Sequence, residues 1–346
     1  MVLKTVGFAL LGLVVLAVIL NLYGRSHYDP AGSEAEAPRN PELQAGKNSV
    51  EYLSRGDMIS ANVFLPADYA PGEKRPAIVV TPPHTGVKEQ TAGLYAEKLS
   101  ERGFVTLVFD PRGFGESGGH PGLLSSYRQI EDIRSSVDYL MTLDEVDRSR
   151  VFNLGMCAGS GTSAYETIED SRIRALAVIS PYLTGSEDNG GGSVVVRNAV
   201  YALGGVAKAL HAITGHDIRR PLVPTTEEEA KSATPIVAGM TEYYLPGKPG
   251  DVPNWRNELS LLSLVPVIDF SIFDSTDRLD ATPVFVAYGT EAVSRDGAVR
   301  FYEELGGPKD RIVLEGAGHF DLYWKPELVA PVADRIAEFF RAEMAR

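Results

Sequence analysis

NLGMCAGSGTS, residues 153–163, sets a short apolar run against a turn flanked by glycines and follows it with small residues suited to opening a helix. At its centre stands Cys157, the only cysteine among 346 residues. The run Gly155-Met156-Cys157-Ala158-Gly159 has the shape of a strand-to-helix turn that carries a nucleophile, where a glycine on each side lets strand and helix approach without Cβ clashes. A helix beginning near Ala158 aims free amides and the positive end of its dipole at the turn, which favours a thiolate. A lone cysteine is also commonly an inert buried side chain. The rest of the chain decides between the two.

Outward from this turn, short apolar runs alternate with helical stretches. They are AIVVTP (77–82), FVTLVFD (104–110), RVFNLG (150–155), IRALAVIS (173–180), PVFVAYG (283–289) and RIVLEG (311–316). Continuous apolar strands between helices predict a parallel sheet covered on both faces. SVEYLS and MISANVFLP, on either side of Arg55-Gly56-Asp57, read as an antiparallel hairpin in front of it. In the last helix Leu328, Val332, Ile336 and Phe339 share one stripe. The alternation stops between Pro181 and Pro266. A Gly-rich start (GSEDNGGGS), a helix-like stretch from Val194 to Ile213 and the loop EYYLPGKPGDVPNW predict a cap or lid inserted at about residues 186–265, with a surface excursion as the alternative.

The N-terminus is different in kind. TVGFALLGLVVLAVILNL (Thr5–Leu22) is an apolar run interrupted only by Thr5 and Asn21, and as a helix it spans roughly 27 Å, nearly a bilayer core. It predicts a single-pass membrane anchor over residues 1–27, with a cleaved signal peptide as the competing reading. Lys4 and the α-amino group stand on one side, Arg25 and His27 on the other, and the expectation is a catalytic domain on the non-cytoplasmic side. Residues 28–48, rich in Pro, Ala, Gly and charge, read as a tether, and residues 49–346 as the folded domain.

The net charge of −13 gives no electrostatic support for binding nucleic acid. One cysteine excludes an intrachain disulfide and a Cys-rich metal site. His211 and His216 have no ligand-type neighbours at metal spacing. Neither a metal nor a cofactor is called for.

A nucleophile needs a base, an acid to orient it and an oxyanion hole. His319 stands in VLEGAGHFDLY just past the last strand, placed to reach the turn as general base. For the acid, VFVAYGTEAVSRD offers Glu291 nearest the strand end, then Asp296, which also suits the first turn of the next helix; Asp321 lies only two residues beyond His319. The amides of Ala158 and of Thr85 in VVTPPHTGVKEQ are the oxyanion candidates, with His84 holding the loop. Arg112 and Glu116 in DPRGFGES read as loop-stabilising charges. Tyr243, Tyr244 and Trp255 are candidates for an apolar acyl pocket, or for the cap's own small core.

Residues 49–346 resemble an α/β-hydrolase, through HTGVKEQTAGLYAEKLSERGFVTLVFDPRGFGESGG, GMCAGSG, GTEAVSR and GAGHFDLY taken together. The elbow resembles the dienelactone-hydrolase-like branch with a cysteine nucleophile. The order nucleophile, acid, histidine is the one such enzymes use. The resemblance implies a mostly parallel eight-stranded sheet flanked by helices, here with a helical cap and an N-terminal transmembrane helix. It implies Cys157 as nucleophile, His319 as base, Glu291 as acid and Ala158 in the oxyanion hole. The chain departs in having Glu where dienelactone hydrolase has Asp, His-Thr-Gly where many relatives have His-Gly-Gly, and an anchor and long insertion besides. The implied activity is that of a membrane-tethered hydrolase forming an acyl-cysteine from a small-molecule lactone, activated ester or thioester. A thiolate leaves more readily than an alkoxide, so an unactivated ester tends to expel the enzyme instead. An acyltransferase with the same triad, or a silent fold binding a small hydrophobic ligand, are the alternatives.

Overall fold

The computed structural model describes residues 2–26, 28–30, 32, 35–184 and 193–344. In chain order it contains α1 (Val2–Arg25), the hairpin β1 (Gly46–Ser54) and β2 (Asp57–Leu65), β3 (Arg75–Thr81), α2 (Thr91–Ser100), β4 (Val105–Phe109), α3 (Ser126–Leu140), β5 (Val146–Met156), α4 (Gly159–Glu169) and β6 (Ile173–Ile179). A helical section follows: α5 (Val194–Thr214), β7 (Arg219–Arg220), α6 (Glu227–Ser232), α7 (Pro235–Gly239), α8 (Thr241–Tyr244), β8 (Leu259–Ser260) and α9 (Leu264–Ile268). The chain then returns through β9 (Val284–Gly289), α10 (Arg295–Glu304), β10 (Lys309–Leu314) and α11 (Pro326–Met344).

Eight strands form one sheet in the order β1-β2-β4-β3-β5-β6-β9-β10. β2 runs antiparallel to both β1 and β4, and every other neighbouring pair is parallel. The mostly parallel α/β sheet expected above is therefore present. Its inner strands are buried along their length because helices cover both faces, as the largely apolar VTLVF of β4 and VFVAYG of β9 require. On one face Phe104, Phe152 and Phe340 join α2 and α11 to the sheet; on the other Ile133, Val137 and Leu140 seat α3. Ligand sites in such sheets lie at the carboxyl ends of the parallel strands. β5 ends there at Met156, one residue before Cys157.

Buried charges brace the loops at that end. Lys88 Nζ pairs with Asp110 at 2.7 Å and with Glu116 at 2.6 Å, while Arg112 Nε reaches Asp132 at 2.6 Å. Burial works against the Lys88 charge, but its carboxylate neighbours outweigh burial and raise its pKa. Arg112 and Glu116 thus tie the DPRGFGES loop to the core.

The expected transmembrane helix, and with it the single-pass membrane location, is corrected here. No helix among the described residues is long and apolar enough to cross a membrane. The last turns of α1 instead lie along α5. Asn21 Nδ2 donates to the Asn198 carbonyl at 2.9 Å, and the buried Lys208 Nζ donates to the carbonyls of Gly24 and, at 2.6 Å, Ser26, at the negative end of α1. Gly24 and Gly205 stand where the two helices meet, and a Cβ on either would collide with the other helix's backbone, at Tyr201 and Leu20 respectively. The tether is held as well: Asp29 accepts from Arg128 Nη1 at 2.6 Å. Met1, His27 and the Gly-rich stretch 185–192 at the start of the expected insertion lie outside the described residues.

Candidate active site

Cys157 has φ +51°, a left-handed conformation that costs a non-glycine residue on the order of 1–3 kcal/mol and is retained where surroundings over-determine it. Here they do. Its N–H donates to the Ile179 carbonyl at 3.0 Å, and its own carbonyl accepts from Ser160 N at 3.0 Å and Tyr182 N at 2.9 Å. The flanking glycines are sterically required: a Cβ at Gly155 would sit 2.6 Å from Ser160 Cα, and one at Gly159 would sit 2.9 Å from the Thr81 carbonyl. The strand, the tight turn and α4 therefore present Cys157 at the tip of an elbow.

His319 is 3% exposed and sits on the loop after β10. The loop is pinned from below by Ser180, itself at φ +43°, whose Oγ donates to the His319 carbonyl at 3.0 Å. Nδ1 of the ring lies 2.8 Å from Ser294 Oγ, and Nε2 lies 3.2 Å from the Tyr323 hydroxyl. Burial holds the imidazole pKa down to about 3. Burial, the largest influence, pushes the pKa of the Tyr323 phenol well above the usual range. Tyr323 thus meets His319 through a hydrogen bond and Cys157 through packing, Cys157 and Tyr323 sharing a hydrophobic cluster with Phe320 and Tyr244.

The acid is where the structure departs from expectation. Glu291 is exposed on the turn after β9, its amide bonded to the Ala317 carbonyl at 3.0 Å, and it does not reach His319. Asp296 points to solvent beside Arg295, and Asp321 accepts from Gly318 N at 2.8 Å and pairs with Lys325. Ser294 takes the place against Nδ1 because the turn following Gly289 throws Glu291 outward and brings the residue before α10 inward. Ser294 and Tyr323 are the two residues the sequence reading missed. For Tyr323 a signal was available: it stands four residues after His319, the spacing that puts two side chains on one side of a helical turn.

Both oxyanion candidates border the elbow. Ala158 begins α4, and Thr85 has φ +62° and is 2% exposed; neither amide has a backbone acceptor among the described residues. The site opens into a cavity of about 270 Å³ whose wall includes Cys157, Ala158, His84, Tyr323, Val196 and Val200. Its lining is almost wholly apolar and comes largely from the cap. Tyr244 lies on this wall, whereas Tyr243 packs against Tyr323 and Trp255 stacks on Tyr244 from behind. His84 is more than a loop brace: it lines the cavity, its Nε2 has no hydrogen-bond partner among the described residues, and burial holds its pKa to about 4.

Comparison with known proteins agrees with this architecture. The family described as serine aminopeptidase, S33, matches residues 80–241. The uncharacterized protein YcjY of Escherichia coli (strain K12) is 33% identical over 82% of this chain and 93% of its own. The crystal structure of the hypothetical protein PA2218 from Pseudomonas aeruginosa superposes with a TM-score of 0.77 at 26% identity, covering 92% of this chain and all of that one. The polyketide transferase claH of Penicillium crustosum is 27% identical over 79% of this chain and 90% of its own. The chain belongs to the α/β-hydrolase superfamily and is an α/β-hydrolase enzyme.

Proposed function

We propose that the chain is a cysteine-dependent acyl hydrolase, similar to the dienelactone-hydrolase-like branch, with Cys157 as nucleophile and His319 as base. The observation that carries this is the strained φ of +51° at Cys157, held at the tip of the elbow and facing an apolar cavity. The sulfur attacks an acyl carbon, the amides of Ala158 and Thr85 receive the oxyanion, and the acyl-cysteine is released to water. Ser294, in place of a carboxylate, orients the imidazole. The cavity suits an acyl chain, and the thiol favours lactones, thioesters and activated esters, whose leaving groups compete with a thiolate.

The test is turnover of p-nitrophenyl butyrate, a butyryl thioester and a γ-lactone by the parent, Cys157→Ala and Cys157→Ser proteins, with mass spectrometry of the trapped acyl-enzyme. The expected result is an acyl adduct on Cys157 and no turnover by Cys157→Ala. Full turnover by Cys157→Ala would sink the assignment. A second reading, transfer of the acyl group to an alcohol or amine, is favoured by the name of the relative claH, a polyketide transferase. Added alcohols and amines that divert the product from acid to ester or amide would identify it.

A further inference from the structure

We propose that Tyr323 is a catalytic residue: its hydroxyl relays the proton between the Cys157 sulfur and Nε2 of His319. This rests on the reading of Cys157 as nucleophile and adds the path by which its proton reaches the base. The phenol oxygen lies 3.2 Å from Nε2 on one side, and on the other Tyr323 packs with Cys157 in one buried cluster and one cavity wall. A hydroxyl has one proton to donate, so between two such partners it donates to one and accepts from the other. The cavity wall includes Cys157 and Tyr323 but not His319. Tyr323 is the group that meets both the buried base and the cavity.

The direction of the chain follows the imidazole tautomer, because the Ser294 hydroxyl can accept from Nδ1–H or donate to Nδ1. When Ser294 Oγ accepts from Nδ1–H, Nε2 carries the lone pair and accepts from Tyr323, whose oxygen can then take the thiol proton. As the sulfur pair forms the S–C bond, the Sγ–H proton passes to the Tyr323 oxygen and the phenol proton passes to Nε2. The carbonyl π pair moves onto its oxygen, and the positive charge rests on the imidazole. On collapse the bond from carbon to the leaving heteroatom breaks, that atom takes the phenol proton, and Nε2–H replaces it. Water then gives up its proton by the same path as it attacks, and the departing sulfur recovers one. The phenol is neutral before and after each transfer, in keeping with burial that disfavours a phenolate.

The experiment combines Tyr323→Phe with a proton inventory, in mixtures of light and heavy water, of p-nitrophenyl butyrate turnover and of Cys157 alkylation by iodoacetamide. Loss of the relay should lower turnover by about a hundredfold or more, within the usual range for acid–base groups. Alkylation near neutral pH should slow in parallel. The unmodified protein should give a bowed inventory, from two protons in flight. A folded Tyr323→Phe protein, with unchanged circular dichroism and melting, that turns over and alkylates like the parent would overturn the relay, as would a linear inventory. If the variant does not fold, the inventory of the unmodified protein decides. Failure of the underlying reading is distinct: it is turnover that survives Cys157→Ala.

Discussion

Ser294 Oγ lies 2.8 Å from Nδ1 of His319, in the position where a catalytic histidine ordinarily meets a carboxylate, and no carboxylate touches that ring among the described residues. A neutral hydroxyl holds the ring in place, but it accommodates either tautomer and does nothing for the imidazolium. Burial therefore goes unopposed and the ring stays neutral, with its pKa held to about 3.

Replacing Ser294 by Asp should reverse that balance. A carboxylate against Nδ1 favours the charged ring, so the His319 pKa rises and an imidazolium–thiolate arrangement becomes accessible. The expected outcome is faster alkylation of Cys157 by iodoacetamide between pH 6 and 7, with the reactivity profile shifted to lower pH. Ser294→Ala, which leaves Nδ1 without its partner, should lower turnover by roughly tenfold or more, the scale of a lost orienting contact. An alkylation profile identical across Ser294, Asp and Ala proteins would show that this hydroxyl does not govern the base.

Acid should destabilise the fold through two histidines. The pKa of His319 is held to about 3 and that of His84 to about 4, both by burial, against an ordinary 6.5. Below pH 6.5 the unfolded chain binds protons that the folded chain refuses, so unfolding free energy falls as pH drops from there towards 4 and then 3. Each group contributes a slope of up to about 1.4 kcal/mol per pH unit in that window. Urea unfolding at pH 7, 6 and 5 should show the decline, and His319→Gln should make it shallower. An equally steep decline in the His319→Gln protein would remove that residue from the account.

Gly155→Ala and Gly159→Ala should each destabilise the elbow. The added methyl at 155 meets Ser160 Cα at 2.6 Å and the one at 159 meets the Thr81 carbonyl at 2.9 Å, backbone contacts that no side-chain rotation relieves. Overpacking of this kind costs about 1–3 kcal/mol, and the melting temperature should fall accordingly. Gly297→Ala is the control. Nothing stands within 4 Å of its added Cβ, so its melting temperature should stay within a degree or two of the parent's.

These glycines also explain what could be read from the chain alone. The sheet was legible because its strands are unbroken apolar runs, and Cys157 was legible because strand and helix can cross at that turn only where residues 155 and 159 lack side chains. The third member of the site was not. Proximity to the strand end and negative charge both pointed to Glu291, while the inward turn of Ser294 depends on how the loop after β9 docks against the Ala317 carbonyl. Likewise the apolar run at the N-terminus does not by itself announce that its partner is another helix of the same chain. The Asn21–Asn198 bond and the close approach at Gly24 and Gly205 pair residues more than 170 positions apart, which local pattern cannot register.

Chain-length preference should be set from the cap. α5 turns Val196 and Val200 towards the cavity while Asn198 bonds α1, so the same helix is both wall and anchored strut. Each buried methylene of a substrate contributes about 0.8 kcal/mol, close to fourfold in kcat/KM, until the roughly 270 Å³ is filled. Across a series of acyl thioesters from acetyl upward, kcat/KM should therefore climb with chain length and then level off. Val200→Trp occupies part of that space, so the plateau should arrive several carbons earlier and the ratio of long-chain to acetyl turnover should fall by about tenfold or more. A parent protein with no dependence on chain length would show that the acyl group does not lie in this cavity. A Val200→Trp protein with the parent's length profile would show that α5 does not bound it.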